Sequence, residues 1–198
     1  MTRYSLQTHT RAISAALILL ATTIGYHHAS AQTAAHALEA PTALVVALPV
    51  ALYNAQANVQ EASDSSQAAL STQILTGKLQ ELLGQQLIAG ERVASAAVSP
   101  GASATAGGPP CNVVVACARQ VGKALGASWV VMAKVSKTSN LIWLFTGQLI
   151  HVPTGEIILD DSTELKGETQ AMVRAGSRIF AERVARTVRR GGMATNFP

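Results

Sequence analysis

Apolar residues along this chain recur at two spacings, one near 3.6 and one near 2, and the changes between them delimit the elements. Residues 43–52 form a continuous apolar run bounded by polar residues. They predict a buried strand whose later part is bent or at a sheet edge, because Pro49 cannot donate to a ladder. Asn54 to Ser63 is polar and reads as a loop. Asp64 followed by Gln67 fits a helix-start box, and Leu70, Ile74, Leu75, Leu79, Leu82 and Leu83 then repeat at helical spacing up to Gly84. Leu87 to Ala89 is expected to be a short second strand. Ser99 to Pro110 is dense in Gly, Pro and Ser, so it is expected to be irregular, as a mobile insertion or a lid. Asn112 is expected to cap a second helix carrying Val114, Cys117, Ala118, Val121 and Leu125 on one face. Gly126 sits where a left-handed C-terminal residue is wanted. The run Val113 to Val115 argues for a strand, but the longer periodicity outweighs it.

The second half of the chain switches to period 2. Trp129 to Ser136 predicts a strand with Trp129, Val131, Ala133 and Val135 on one face. Lys137 to Asn140 makes a turn, and Leu141 to Val152 a long strand whose first half, apolar on both faces to Phe145, is expected to be central. Pro153-Thr-Gly-Glu is a hairpin turn in which Gly155 supplies the positive φ. Ile157 to Leu165 returns, with Ile157, Leu159 and Leu165 inward and Asp160, Ser162 and Glu164 outward. Thr169 is expected to cap a last helix to about Val188, burying Met172, Gly176, Ile179, Phe180, Val184 and Val188. Helices alternate with strands early and a meander follows. That order defines an α/β (α+β) architecture, a mixed sheet of about five strands with helices packed over it.

The N-terminal segment changes the setting of this domain. Arg3 and Arg11 precede an apolar stretch, Ala12 to Tyr26, too short for a membrane span, and Ala29-Ser-Ala supplies a small–x–small cleavage pattern. Residues 1–31 therefore read as a signal peptide cleaved before Gln32, with a retained N-terminal anchor as the alternative, 32–42 as a leader, 43–189 as one domain and 190–198 as a disordered tail. The product is expected in the periplasm, with no stable membrane insertion after cleavage. No cysteine stands at the cleavage site, so no lipid anchor is expected. Losing Arg3 and Arg11 lowers the formal charge from +4 to about +2, so the chain is not polybasic. With 48% hydrophobic and 13% charged residues, it can build a core without disulfides.

Leu125-Gly-Ala-Ser-Trp-Val-Val, Lys134-Val-Ser, Ser139-Asn-Leu-Ile, Pro153-Thr-Gly-Glu and Lys166-Gly-Glu-Thr resemble an uncharacterised family of secreted proteobacterial proteins, classed as a domain of unknown function. The element order also resembles the TolB N-terminal domain and the periplasmic domains of curli-secretion and peptidoglycan-synthase-activating lipoproteins. The resemblance covers residues 43–188 and implies a fold, with no catalytic residues.

Cys111 and Cys117 are the two cysteines, and an oxidising compartment favours pairing them. In one straight strand they would lie about 20 Å apart, and in one helix about 9 Å along the axis, both too far. Pairing requires Cys111 on a turn folding back over a helix start. Two buried thiols and intermolecular pairing are the alternatives.

Other chemistry is sparse. There is no phosphate loop, no dinucleotide-binding glycine pattern and no nucleophile elbow. After cleavage only His36 and His151 remain, so no zinc set can be drawn. A His151–Cys117 nucleophilic pair competes poorly with an inert thiol on an apolar helix face. Asp160, Asp161 and Glu164 read as a solvated strand edge, with Asp161 on the opposite face. The concentrated charge lies on the last helix, where Arg174, Arg178, Glu182 and Arg186 are spaced by four and Arg189 and Arg190 follow. Glu182 is placed to pair with Arg178 and Arg186. One reading is a solvated face. The other is a stripe, Arg174, Arg178 and Arg186, docking an acidic partner or anionic lipid headgroups. Nucleic acid is not expected, since no aromatic residues are interleaved. The expectation is a non-enzymatic periplasmic accessory or adaptor protein that binds envelope proteins and needs no cofactor. The alternatives are a small-ligand binder and a thiol redox protein using Cys111 and Cys117.

Overall fold

A computed structural model describes residues 43–54, 61, 63–106, 111, 113–139 and 142–192. The signal, leader and Asn112 cap assigned from the sequence lie outside the described residues, as does the tail beyond Gly192. The apolar run near the start divides where Pro49 breaks the ladder, giving β1 (Val45–Ala47) and β2 (Ala51–Asn54). Both run parallel to β4 (Trp129–Lys137), β1 along its first half and β2 along its last. Leu48 bridges the break by donating to the Val131 carbonyl at 3.0 Å. This division makes six strands instead of about five. β3 (Leu87–Ile88) lies outside β1 in parallel, while β5 (Ile142–His151) and β6 (Ile157–Lys166) continue antiparallel from β4, giving the order β3-β1-β4-β5-β6 with β2 on β4. The sheet is mixed and the architecture α/β, as the periodicities predict.

Two helices cover one face. α1 (Asp64–Leu83) and α5 (Thr169–Arg189) bury Leu75, Leu79, Leu83, Val173, Phe180 and Val184 against Val131, Val135, Phe145 and Leu149. The Phe145 and Phe180 rings meet at 5.7 Å between centroids, tilted by 59°. Gly147 makes room for this pair, since a Cβ there would sit 2.5 Å from the Phe180 ring. Arg189 donates to the Leu82 carbonyl at 2.6 Å and Ser71 bonds Ser177 at 2.8 Å, so α1 and α5 run side by side in the same direction.

Three shorter helices cover the other face: α2 (Glu91–Ala97), α3 (Pro100–Ala106) and α4 (Val115–Ala124). α3 corrects the expectation of an irregular Ser99–Pro110 segment over Pro100–Ala106. Pro100 stands at the first helical position, where its missing N–H is harmless, and small residues follow. Ala102 is buried beneath α4, so this part is packed rather than a lid. Gly122 lets α4 close on Val152, and Gly126 takes the left-handed φ of 67° expected of it.

Other expectations shift by a residue or a face. Asp64 is not the helix cap: Ser63 holds that position without a side-chain bond, and Asp64 turns inward. Thr169 likewise yields to Glu168, whose carboxylate accepts from the N–H groups of Gln170 and Ala171 at 2.9 and 2.6 Å. These two bonds hold the Glu168 carboxyl below its ordinary 4.5. Ile179 is 59% exposed, because the buried face of α5 runs through Val173, Ser177, Phe180, Ala181 and Val184 instead. Ile157 is also exposed, at 40%: a register shift between Leu149 and Ile150 pairs it with Ile150 and reverses its side. The half of β5 buried on both faces is Leu149–Ile150, not the half ending at Phe145, since the short helices reach only that end.

Candidate functional site

α5 brings Arg174, Arg178 and Arg186 to its outer surface, all exposed. The buried residues of the helix fix which turns face water, and the Glu168 cap fixes where it begins. The neighbouring arginines have other work. Arg183 pairs with Asp161 across to β6 at 2.7 Å, and Arg189 holds the last turn of α1. Burial raises the Asp161 carboxyl above its ordinary 3.8, with Asp160 adding to this and Arg183 opposing it. Asp161 therefore lies on the α5 side while Asp160 bonds Gln148 on the other, as the strand alternation requires. Among the described residues, the ion pairs do not include Glu182 with Arg178 or Arg186, contrary to the spacing rule. Arg178 and Arg186 make no ion pair among the described residues, while Arg174 lies near enough to the Glu168 carboxylate to help lower its pKa.

Arg178 also borders a groove of about 350 Å³ against α1, lined by Gln73, Ile74, Gly77, Lys78 and Glu81. Lys78 and Glu81 pair at 2.7 Å along one rim. Gly77 is exposed in mid-helix, where glycine costs roughly 1 kcal/mol relative to alanine. A Cβ there would meet nothing within 4 Å, so packing does not require the glycine.

Cys111 and Cys117 are joined in a disulfide, with Cα atoms 5.3 Å apart and both residues 0% exposed. Cys111 precedes α4 and folds back over its first turn, the arrangement the spacing demands. The Cys117 sulfur lies 2.9 Å from the Ala102 carbonyl oxygen, so the bridge sits where α3 meets α4. His151 is not brought to Cys117. Its ring packs against Trp129 at 4.8 Å between centroids, tilted by 45°, and bonds Thr154 at 2.9 Å.

One buried polar group was not legible in the sequence. Lys137, placed in a turn by the pattern, ends β4 inside the protein at 5% exposure and reaches Asp64, itself 3% exposed, at 3.2 Å. Glu61 lies 3.4 Å from the same ammonium, and the Trp143 ring centroid 5.9 Å away. Burial disfavours the charged lysine, but hydrogen bonds and charge from Asp64, with Glu61 adding, outweigh it and raise Lys137 above its ordinary 10.5. Asp64 and Lys137 are 73 residues apart, and only the register of β4 beside α1 joins them. A second cleft, about 260 Å³, opens on the opposite sheet face beside Val113, Met132, Lys134, Thr146 and Gln148. Among the described residues, no three His, Cys, Asp or Glu side chains are grouped to hold a metal, and no helix is long and apolar enough to cross a membrane.

The architecture and the motifs from Leu125 onward define a domain of one family. The chain belongs to the DUF3280 family, described as a protein of unknown function (DUF2380), whose model matches residues 43–184. No curated protein matches it. Among solved structures it is similar to the LpoB C-terminal domain from Salmonella enterica, at 17% identity, covering 64% of this chain and 84% of that one with a TM-score of 0.45. It is also similar to the PelC dodecamer from Paraburkholderia phytofirmans, at 10% identity over 74% and 88% of the two chains, TM-score 0.42. TolB from Acinetobacter baumannii is 12% identical, over 75% of this chain and 29% of that one, TM-score 0.39.

Proposed function

We propose that this protein is an exported, non-enzymatic accessory domain of the bacterial envelope that acts by binding another envelope protein through Arg174, Arg178 and Arg186. The observation that carries this reading is the division of labour along α5. Arg183 and Arg189 are engaged within the fold, while the three stripe arginines face water with no ion pair among the described residues. Exposed cations held without an ion pair steer an oppositely charged partner and reject wrong ones. The buried disulfide suits an oxidising compartment, in keeping with the signal pattern of residues 1–31. Its burial also keeps the sulfurs from exchange partners, which favours a structural role over thiol chemistry.

The experiment is a crosslinking pull-down from the periplasm with Arg174→Glu, Arg178→Glu and Arg186→Glu combined, its fold checked by circular dichroism. The folded variant should lose the partners that wild type captures, and wild-type capture should weaken with added salt. Retention of the same partners at the same salt sensitivity contradicts the reading. The intact mass of the exported protein should correspond to a chain beginning at Gln32.

A further inference from the structure

We infer that the outer edge of β6 pairs antiparallel with the same edge of a second copy of this chain, with Thr163 on the two-fold axis and Asp160 of each copy facing Lys166 of the other. The inference is separate from the arginine reading, since Arg178 lies on the α1 flank of α5 and the edge lies beyond the other flank. β6 is 10 residues long and ends the sheet, and among the described residues no strand pairs with its outer edge. It contains no proline, and the register shift stands near its start, so the run from Leu159 to Lys166 is regular. Such an edge is a template for a further strand, blunted only by the charges it carries.

Those charges choose the occupant. A two-fold axis perpendicular to the sheet sets the strand against itself and keeps each face continuous, so opposed residues share a face. Registers that overlap most of the strand are centred on Asp160, Asp161, Ser162 or Thr163. The first two set an aspartate against its own copy, and the third sets Asp160 against Glu164. The register on Thr163 alone opposes unlike charges, Asp160 with Lys166 twice over, and places threonine on threonine. Lys166 lies 3.3 Å from Glu164 in its own strand, but both are exposed, and an exposed pair of this kind holds the ammonium weakly. Asp160 accepts from Gln148 through Oδ1, so Oδ2 can take the incoming ammonium.

A second observation falls at the same level. Phe180 packs on Phe145, the residue that pairs with Thr163, and Ile179 beside it is exposed. Arg183, one turn on from Ile179, reaches Asp161, so Ile179 stands on the flank of α5 that overlooks β6. An axis through Thr163 brings the Ile179 side chains of both copies together, covering an apolar residue that the fold itself leaves in water. An unrelated strand would pair the backbone equally well, but the self-matching charges and the isoleucine at their centre select a second copy.

The test is sedimentation velocity of the exported protein across a concentration series, joined to cysteine crosslinking. Wild type should pass from monomer to dimer as concentration rises. Lys166→Glu should weaken the dimer about tenfold or more, and the exchange Asp160→Lys with Lys166→Asp should restore it. Ile179→Asp should also weaken it. These positions are all exposed, so each variant should keep the wild-type circular dichroism and thermal transition. Thr163→Cys should form a disulfide between copies under mild oxidant, since opposed residues in a ladder lie within disulfide reach, and Glu156→Cys should not. The native cysteines are buried and already joined, so only the added thiol reacts. A monomer at every concentration overturns the inference. So does a dimer that Lys166→Glu leaves unchanged, that the charge exchange fails to restore, or that Thr163→Cys does not link.

Discussion

Helices of 20 and 21 residues cover one face of the sheet, and helices of 7, 7 and 10 cover the other. The long pair holds itself by area. Leucines, valines and the Phe145–Phe180 pair form one continuous core, and the two helices run in register beside each other. The short set reaches only one end of the sheet and is built largely from alanine, valine and small residues. It is fastened by specific devices: the Cys111–Cys117 bridge, the close fit of Gly122 on Val152, and Arg119, which donates to the carbonyls of Val152 and Pro153 at 3.0 and 2.9 Å. A layer with little area to bury needs such fasteners, since burial stabilises at only about 25 cal/mol per Å². The layer with area to spare can leave charge and a mid-helix glycine on its outer surface.

The largest expected effect breaks the long-helix face. Phe180→Ala removes a ring that is 1% exposed and leaves a cavity against Phe145, so it should cost about 3–5 kcal/mol in chemical denaturation. A loss near the total stability would unfold the domain, since small domains have only about 5–15 kcal/mol in all. Replacing Cys111 and Cys117 by Ala acts on the other face. The closed loop is short, so the loss should be about 2–3 kcal/mol at most. Hydrogen exchange should then quicken in α3 and α4 and stay unchanged in α1 and α5. Equal quickening in all helices would show that the two faces do not differ in the way described.

The Lys137–Asp64 contact sharpens the contrast by pH. The folded lysine titrates above its unfolded value, so its contribution is complete below about pH 10.5 and is lost as pH rises through the folded value. Thermal melts should show an alkaline decline in wild type that becomes shallower in Lys137→Met. The smallest effect is a gain. Gly77→Ala should stabilise the domain by about 0.5–1 kcal/mol, because helix propensity improves and nothing is crowded. A loss on this substitution would mean that the glycine serves the fold.

The same contrast decides what could be read in the chain. The strands from Trp129 to Lys166 and the long helices announce themselves by period, and Pro49, Gly126 and Gly155 punctuate them where expected. Of the short helices, α4 was legible by its period, but α3 escaped because it is composed of residues that also fill loops, and Ala102 packing under α4 decides its conformation. Ile179 and Ile157 were misplaced because a continuous apolar pattern does not reveal a rotated helix face or a strand register shift. In the candidate surface, the spacing of Arg174, Arg178 and Arg186 was visible. The groove at Gly77 was not, since it depends on α5 lying beside α1, a contact made between residues 107 apart such as Leu82 and Arg189.

The most direct measurement sets the two faces against each other in the cell. A photoreactive residue is placed singly at Ala175, exposed on α5 beside the arginines, or at Ala116, exposed on α4 across the sheet. Irradiation of cells exporting each protein should yield a specific envelope-protein adduct from position 175, lost when Arg174, Arg178 and Arg186 are changed to Glu, and none from position 116. An adduct from position 116 with none from position 175 would contradict the assignment of partner binding to the long-helix face.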